Sequence, residues 1–373
     1  MTDEVLTRRQ LGRALLARQH LLSRAGDLSA LTAVEHLVGL QAQAPMPPYY
    51  GLWSRLEGFD PHQLGRLLTD REVVRMTLMR GTIHLVSVRD ALVLRPLTEV
   101  VAARGFSGAF GGRMGGVDTA VLGAAVREIL DTEGAPLTAR ELGRRLVERG
   151  IGDDLEAIAN AARIYAPVVQ VPPRGVWGAG GQAKYMTIEA WTGRELEADP
   201  SIEDVVLRYL GAFGPASVLD AQNWSGLTKL AAVFDRLRPQ LVTFRSEDGR
   251  ELFDLPDAPR PAPDTPAPVR LLGEFDNVLL GHADRSRVIP PDAPSQNRLD
   301  AGRSFNHLLV DGELRAIWWL ERDGRRSATL AIRPFGRLSR ADREAVGDEA
   351  RAMVDFAGHD AAVRDVRFDD PVG

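Results

Sequence analysis

The 373-residue sequence contains no cysteine, and only Lys184 and Lys229 among its 46 basic residues are lysines. The absence of cysteine excludes disulfide bonds, thiolate metal ligands and thiol nucleophiles, and it fits a cytoplasmic protein. The other basic residues are arginines, whose forked guanidinium suits bidentate contacts to phosphate. A GC-rich genome is the simpler explanation of a bias that runs through the whole chain, so the bias alone assigns no partner.

Long apolar runs are also missing, since none approaches the ~20 residues that span a bilayer. Residues 1–10 are polar and carry no signal-peptide pattern, so we expect a cytoplasmic protein without a membrane partner. The seven histidines are scattered without the spacing of a metal site, and we expect neither a metal nor another cofactor. The glycine run at residues 111–116 lacks the Gly-Lys-Ser/Thr of a phosphate-binding loop and is expected to be a flexible connector.

The net charge of −5 shows that the protein is not a polycation. A nucleic-acid partner would therefore have to be bound by a local basic surface. Hydrophobic residues make up 44% and charged residues 26% of the chain, which predicts a globular protein. The length suggests two or three subdomains rather than one core.

The hydrophobic periodicity changes from that of helices to that of strands three times along the chain. Thr7 and Thr32 are the expected caps of the first two helices, and the first hairpin turns at Arg80-Gly81. The predicted elements are helices within 7–40 and at 61–68 with strands at 73–79 and 82–86; helices at 120–130, 138–150 and 155–165 with strands at 168–171 and 182–187; and helices at 202–213, 216–224 and 227–237 with strands at 241–245 and 251–255.

Helices followed by a hairpin are typical of a winged helix-turn-helix unit. We therefore predict an α-rich α+β fold with three tandem units and a C-terminal β-rich portion. The predicted boundaries are 1–115, 116–195 and 196–258 for the three units, an exposed Pro/Asp-rich linker at 256–268, and 269–360 for the C-terminal portion. Ser339 is the expected cap of a closing helix at 337–357, and the last dozen residues are expected to be loose.

The segment Gln41-Ala42-Gln43 is the sharpest feature of the sequence. Pro45 disfavours helical backbone at Ala44, so the preceding helix should end near residue 39 or 40 and the segment should be extended. Residues two apart in an extended chain face the same way, which places two carboxamides side by side with Ala42 behind them. Together they offer donors and acceptors that can hold one water molecule. The alternative is a polar pair at a helix exit that only satisfies backbone groups.

Five segments together carry a resemblance that extends over nearly the whole chain. They are residues 40–43 (LQAQ), 79–86 (MRGTIHLV), 169–178 (VQVPPRGVWG), 214–217 (GPAS) and 275–289 (FDNVLLGHADRSRVI). In combination they resemble the winged-helix DNA glycosylase family of the AlkZ type. The resemblance implies three tandem winged helices that enclose a concave DNA channel. It also implies that Gln41 and Gln43 are the catalytic Gln-x-Gln pair, although many relatives carry Asp at the second position.

The resemblance gives the two glutamines a chemical role. An amide cannot take up a proton as a carboxylate does, so it can only position water and stabilise developing positive charge through its carbonyl dipole. That suffices when the leaving group is already good, as in an N7-alkylguanine or N3-alkyladenine, whose cationic base departs neutral from an oxocarbenium-like sugar. We therefore expect hydrolysis of the N-glycosidic bond of bulky cationic alkylpurines in double-stranded DNA, with interstrand crosslinks of a genotoxic natural product as one substrate. Neither lysine has the context of a Schiff-base nucleophile, so no lyase step is expected.

Two basic segments are candidates for DNA contact near this pair. The loop at residues 281–287 follows a predicted strand, and its side chains His282, Arg285 and Arg287 are placed to contact phosphates or a flipped-out nucleotide. The alternative is a solvated charged turn. On the first hairpin, Arg80, Thr82 and His84 share one face and are predicted to point toward the channel. A structural role for this histidine is an equally good interpretation.

A third basic segment lies between two strong β patterns. The Asp-Gly pair at residues 323–324 predicts a tight hairpin turn, and the tip carries Arg322, Arg325 and Arg326. The resemblance implies that such a hairpin engages damaged DNA. The alternative is a charged tip that serves solubility alone.

The rival function is a non-catalytic winged-helix transcription regulator or damage-binding protein. A regulator needs a recognition helix rich in side chains that read base edges, and usually a dimer. The predicted helix at 227–237 offers only Lys229, Asp235 and Arg236 for that purpose. We therefore favour the enzyme, and we expect it to act as a monomer.

Overall fold

A computed structural model describes residues 4–295 and 304–372 and shows the predicted mixture of helices and sheets. The elements up to residue 110 are β1 (Val5–Leu6), α1 (Arg8–Arg18), α2 (Ala30–His36), β2 (Leu40–Gln41), α3 (Pro47–Trp53), α4 (Pro61–Thr69), β3 (Val73–Thr77), β4 (Ile83–Ser87) and α5 (Val88–Phe110). The next elements are α6 (Thr119–Glu133), β5 (Leu137–Thr138), α7 (Ala139–Glu148), α8 (Leu155–Tyr165), β6 (Val168–Val171), β7 (Lys184–Thr187) and α9 (Ile188–Thr192).

The third helical group and the C-terminal portion complete the described chain. Their elements are α10 (Ile202–Phe213), α11 (Val218–Ser225), α12 (Ala231–Leu237), β8 (Val242–Ser246), β9 (Glu251–Asp254), β10 (Arg270–Leu272), α13 (Asn277–Leu280), β11 (Asn306–Val310), β12 (Glu313–Asp323), β13 (Ser327–Pro334), α14 (Arg340–Ala357) and β14 (Val363–Phe368). Each of the three helical groups is thus followed by a β-hairpin, as the periodicity predicts. Within the described residues, no helix is both long and apolar enough to cross a bilayer.

Local side-chain chemistry explains where several helices begin. Thr7, Thr138 and Ser217 each form a capping box, in which the cap hydroxyl and the side chain three residues later exchange hydrogen bonds with the backbone. The predicted caps Thr7 and Ser339 are confirmed. The predicted cap at Thr32 is wrong, because the Ser29 hydroxyl accepts the Thr32 N–H at 3.0 Å and starts α2 one turn earlier.

The first two hairpins belong to one sheet. Its strand order is β2-β4-β3-β6-β7-β5, and the two hairpins join where Arg75 lies opposite Gln170. The third hairpin gains β1 as a parallel strand next to β8, and the C-terminal portion forms a sheet of order β10-β11-β12-β13-β14. The first two predicted units therefore share a continuous backbone hydrogen-bond network at their junction.

Two buried ion pairs connect parts of the chain that are distant in sequence. Arg18 donates to Asp254 at 2.7 Å, and this bond ties α1 to the third helical group. Arg55 donates to Asp276 at 2.8 and 2.9 Å, and this pair ties the segment after α3 to the start of α13. Next to the second pair, Asn277 Nδ2 donates to the Gly39 carbonyl at 2.9 Å and so anchors the chain just before the Gln-Ala-Gln segment.

The structure also departs from the predicted secondary structure at several elements. Helices α3 and α5 were not predicted; in α3 two prolines occupy the first helical positions, where an N–H has no intrahelical partner to lose. The last helix of the third group begins only at Ala231, because Lys229 adopts a left-handed φ of 63°. The C-terminal residues are not loose, since β14 pairs in parallel with β13 over six residues.

Candidate functional site

The Gln41-Ala42-Gln43 segment leaves α2 through a tight turn. Val38 has a φ of 53° and Gly39 a φ of 95°, and a β-carbon at Gly39 would lie 2.4 Å from Val86 Cγ1. Only glycine fits this position, and the turn delivers Leu40 and Gln41 to the edge of the six-stranded sheet. There Gln41 lies opposite His84 in the antiparallel pairing with β4. The predicted change from helix to extended chain is confirmed.

The two glutamine side chains have different surroundings. Gln41 is buried, and its Oε1 accepts a hydrogen bond from Arg80 Nη2 at 2.8 Å. Gln43 is exposed, and its Oε1 accepts the backbone N–H of Ile83 at 2.7 Å. Ala42 between them is fully buried and donates its N–H to the Ile83 carbonyl at 2.7 Å. Arg80 and the Ile83 N–H are both donors, so each must face the oxygen of its glutamine amide. The NH2 groups of the two amides are therefore the groups that remain for a further partner.

Arg80 joins the first hairpin to the third helical group. It sits in the turn between β3 and β4 with a φ of 54°, and its guanidinium donates both to Gln41 and to the carbonyl of Trp224. Burial, and secondly the positive charge of Arg285, lower the pKa of Arg80 to about 10. Arg80 therefore remains cationic at neutral pH, and Arg285 is near enough to act on it.

Arg285 is exposed in the loop after α13, and its guanidinium has no protein partner among the described residues. Arg80 likewise has no carboxylate within ion-pair distance in the described chain. Two neighbouring arginines that lack a carboxylate partner among the described residues can bind an anion, and a phosphodiester fits this chemistry.

His84 is buried directly opposite Gln41. Its Nδ1 lies 3.0 Å from the Thr82 carbonyl, and burial, with Arg80 as the second cause, lowers the pKa of His84 to about 3. The imidazole is therefore neutral at physiological pH. This favours the structural interpretation of His84 over a direct contact with phosphate.

The predicted phosphate contacts of His282 and Arg287 are not supported, because both side chains are buried. His282 Nε2 bonds the Phe213 carbonyl at 3.0 Å, and burial lowers the pKa of His282 to about 3. Arg287 Nη1 donates to the Pro215 carbonyl at 3.0 Å. The two side chains hold the loop against the third helical group, and they leave Arg285 on its outside.

The hairpin between β12 and β13 has the predicted turn, with Gly324 at a φ of 54°. Arg322 is engaged by Asp360 and by the Ala357 carbonyl, so it supports the tip rather than extending from it. Arg325 and Arg326 are exposed. Their carbonyls accept the N–H groups of Ala362 and Val363 at 2.9 and 3.0 Å, so the chain leading into β14 stiffens the tip.

Arg75 is a residue of this site that the sequence analysis missed. It is buried on β3, and its Nη2 donates to the Ala42 carbonyl at 2.7 Å. In the sequence, Arg75 is a single arginine in the middle of a predicted strand. That position does not indicate whether the side chain is buried. In the described part of the chain, no cluster of His, Asp or Glu has the arrangement of a metal site.

Comparison with known proteins places this geometry in a family. The family described as AlkZ-like DNA glycosylases matches residues 34–356. The chain belongs to the AlkZ-like DNA glycosylase family. It is 28% identical over 368 residues to the interstrand DNA cross-link repair glycosylase of Streptomyces sahachiroi, covering 92% of this chain and 94% of that protein. It also has the fold of the solved S. sahachiroi DNA glycosylase AlkZ, with a TM-score of 0.75, 24% identity, and 98% of this chain and 100% of that chain covered.

Membership of the AlkZ-like family makes DNA the substrate, and this gives the Arg80–Arg285 pair a test. Replacing Arg285 by alanine is expected to weaken binding to any duplex about fivefold at low salt and to reduce the slope of log K against log salt by about 0.9. Binding is measured by fluorescence anisotropy at several salt concentrations. Arg337→Ala is the matched control, because Arg337 is also exposed but lines a C-terminal cavity together with Asp292 and Asp342. If the salt slopes of the two variants are equal, the assignment of Arg285 as a phosphate contact is wrong.

Proposed function

We propose that this AlkZ-like protein is a monofunctional DNA glycosylase that hydrolyses the N-glycosidic bond of bulky cationic N7- and N3-alkylpurines. The observation that carries the proposal is the neutral pair Gln41 and Gln43 at a sheet edge, with Arg80 bonded to Gln41 and Arg285 near Arg80. Neither arginine has a carboxylate within ion-pair distance among the described residues. No carboxylate in the described chain hydrogen-bonds to either glutamine. The site is therefore suited to a base that needs no protonation to depart.

In the proposed reaction, the bond from the sugar C1′ to the base nitrogen breaks, and its electron pair neutralises the cationic base. A water oxygen then bonds to C1′, and the water proton passes to solvent. The carbonyl dipole of Gln43 stabilises the positive charge on the sugar, and the NH2 group of Gln41 binds and orients the water. Gln41 is fixed by Arg80, whereas the exposed Gln43 has to release the Ile83 N–H before its oxygen can face the sugar. We propose that DNA binding drives this rotation.

The proposal includes a mode of DNA binding. The three groups of helices with their hairpins act as winged-helix units that enclose the duplex, and the protein acts as a monomer. Arg80 and Arg285 contact the phosphate beside the displaced nucleotide, and Arg325 and Arg326 at the hairpin tip contact the duplex. The S. sahachiroi relative is named as an interstrand DNA cross-link repair glycosylase, and this supports a crosslinked purine as one of the substrates.

The product is proposed to be an intact strand with an abasic site. A lyase step needs an amine nucleophile, which enzymes activate by desolvation or by a neighbouring cation. Lys184 and Lys229 are both exposed to solvent. Strand breaks are therefore expected only after the product is treated with alkali or with an abasic-site endonuclease.

The test is incubation of the protein with a duplex that carries one N7-methylguanine, followed by an abasic-site endonuclease at neutral pH and separation of the strands. We expect cleavage at the lesion with the endonuclease and none without it. A transcription regulator or damage-binding protein would bind the same duplex in a gel-shift assay and leave it uncut under both conditions.

The excision rate is expected to be independent of pH between about 6 and 9. Glutamine amides do not titrate in water, His84 stays neutral because its pKa is lowered to about 3, and Arg80 stays charged because its pKa is about 10. Single-turnover rates across this range test the expectation. A rate that changes tenfold per pH unit would instead indicate a titrating general acid or base.

The lower limit of that range follows from the stability of the fold. His84 has an ordinary pKa of 6.5, which applies to the unfolded chain, and a lowered pKa in the folded protein. Below about pH 6.5 the unfolded chain binds a proton that the folded protein does not, so the stabilisation present above that pH is lost as the pH falls toward 3. Assays above pH 6 separate this effect from the chemistry.

A further inference from the structure

Arg75 has no carboxylate within ion-pair distance in the described part of the chain, and it lies directly behind the Gln-Ala-Gln segment. It is 1% exposed, and its Nη2 donates to the Ala42 carbonyl at 2.7 Å. Its Nε and Nη1 atoms have no acceptor among the described residues. The loop after β6 closes over the side chain, because a β-carbon at Gly175 would lie 3.0 Å from both Cδ and Nη1 of Arg75.

The other buried arginines in the described part of the chain are compensated. Five of them have a carboxylate within 4 Å, namely Arg13, Arg18, Arg55, Arg95 and Arg270. Arg287 lies in the field of Asp220 and Asp284. The neighbouring cation of Arg75 is instead Arg174, which adds repulsion. A buried charge that is neither paired nor fully hydrogen-bonded opposes folding, so the stability of the fold does not account for Arg75.

The hydrogen bond from Arg75 to Ala42 lies where the backbone hydrogen-bond ladder of the sheet ends. Ala42 donates its N–H to the Ile83 carbonyl at 2.7 Å, which is the last backbone bond between this segment and β4. The next donor on β4, the Ile83 N–H, is taken by the Gln43 side chain. The Ala42 carbonyl therefore has Arg75 in place of a strand partner. Both peptide groups of Ala42 are thereby fixed, and these groups connect Gln41 to Gln43.

We propose that Arg75 is a positioning residue for base excision. Its guanidinium holds the Ala42 carbonyl from the side of the sheet opposite the two glutamines, and this sets the directions in which Gln41 and Gln43 leave the backbone. The inference rests on the proposed glycosylase function and adds a residue that contacts neither the DNA nor the reacting atoms. It also means that the reaction requires a side chain that the fold would be more stable without.

A positioning role and a structural role for Arg75 predict different changes in the melting temperature. Loss of a positioning residue lowers the excision rate without lowering the melting temperature, whereas loss of a structural residue lowers both. Arg75→Met keeps the length of the side chain and removes the charge and the donor. We expect single-turnover excision of N7-methylguanine to fall about 10- to 100-fold, as for a displaced catalytic group. Affinity for a duplex with an abasic-site analogue should remain within about twofold, and the melting temperature should be unchanged or about 2 °C higher.

Two variants serve as controls for this result. Arg75→Lys retains a donor for the Ala42 carbonyl and is expected to recover the rate to within about threefold of the wild type. Arg55→Met removes a buried arginine that is paired with Asp276, and its melting temperature is expected to fall. An Arg75→Met protein with the wild-type rate would overturn the inference. So would a melting temperature that falls together with the rate, or failure to fold. If the proposed glycosylase function is itself wrong, the result differs, because the wild type would then release no base.

Discussion

Replacing Gln41 and Gln43 together by alanine is expected to lower the single-turnover rate of N7-methylguanine excision at least about 100-fold. The two amides are the polar side chains that the sheet edge presents beside the arginine pair, and the variant removes both the water contact and the carbonyl dipoles. Affinity for DNA should change little, since neither glutamine is charged. The rate is measured with enzyme in excess over a labelled duplex, and the affinity by anisotropy on an abasic-site analogue.

The single variants distinguish the two positions. Gln41→Ala also removes the acceptor for Arg80 Nη2, so this variant is expected to perturb the arginine pair and to weaken DNA binding slightly. Gln43→Ala removes an exposed side chain that accepts the Ile83 N–H and does not bond to either arginine in the described chain, so its effect should lie in the rate alone. Gln63→Ala, an exposed glutamine on α4, is the matched control. A double variant that retains the rate of this control would reject the assignment.

Excision of N7-methylguanine is expected to be at least about 1,000-fold faster than excision of uracil from the same position of the same duplex. Uracil leaves as an anion, so an enzyme that removes it must stabilise charge on the base as well as on the sugar. Among the described residues, His84 is the titratable histidine beside Gln41, and its lowered pKa keeps it from donating a proton at neutral pH. Two uncharged amides can neither protonate a departing base nor neutralise its negative charge, so they suit a base that departs as a neutral molecule.

The selectivity is measured on two duplexes that differ in one nucleotide, under single-turnover conditions with equal enzyme. A uracil-DNA duplex treated with a known uracil glycosylase confirms that the uracil substrate is competent. Comparable rates for both lesions would show that the site activates unmodified leaving groups. The neutral-amide mechanism would then be wrong even if the protein is a glycosylase.

The local geometry of the Gln-Ala-Gln segment is predictable from sequence because adjacent residues determine it. Gly39 and Pro45 lie on either side of the segment, and each restricts the backbone strongly enough to end the helix and extend the chain. The same holds for the hairpin turns at Arg80-Gly81 and Gly324. These features depend on local conformational preferences, and tertiary packing leaves them unchanged.

Burial of charged side chains was not predictable in the same way. His282, Arg285 and Arg287 lie within six residues of one another in a sequence that looks uniformly polar, yet the structure exposes only Arg285. The difference arises from contacts with the third helical group, some seventy residues away along the chain. Arg75 shows the same limit, because its burial is set by the loop around Gly175.

The long helix α5 illustrates a second limit. It contains Pro96 and two glycines in its last turns, all of which have low intrinsic helix propensity. Packing overrides this preference, since α5 contacts both the turn around Arg80 and helix α8. The same packing places the turn that carries Arg80 next to Gln41. The sequence therefore reveals the residue types of the site, whereas tertiary contacts decide which of them come together.

A single duplex that carries one N7-methylguanine and one uracil provides the most direct test of the central claim. It is incubated with the wild type or with the Gln41→Ala/Gln43→Ala variant, and the released free bases are quantified by mass spectrometry. We predict that the wild type releases N7-methylguanine without uracil, and that the variant releases N7-methylguanine only at the spontaneous rate. Equal release of N7-methylguanine by both proteins, or release of uracil at a similar rate, would contradict the claim.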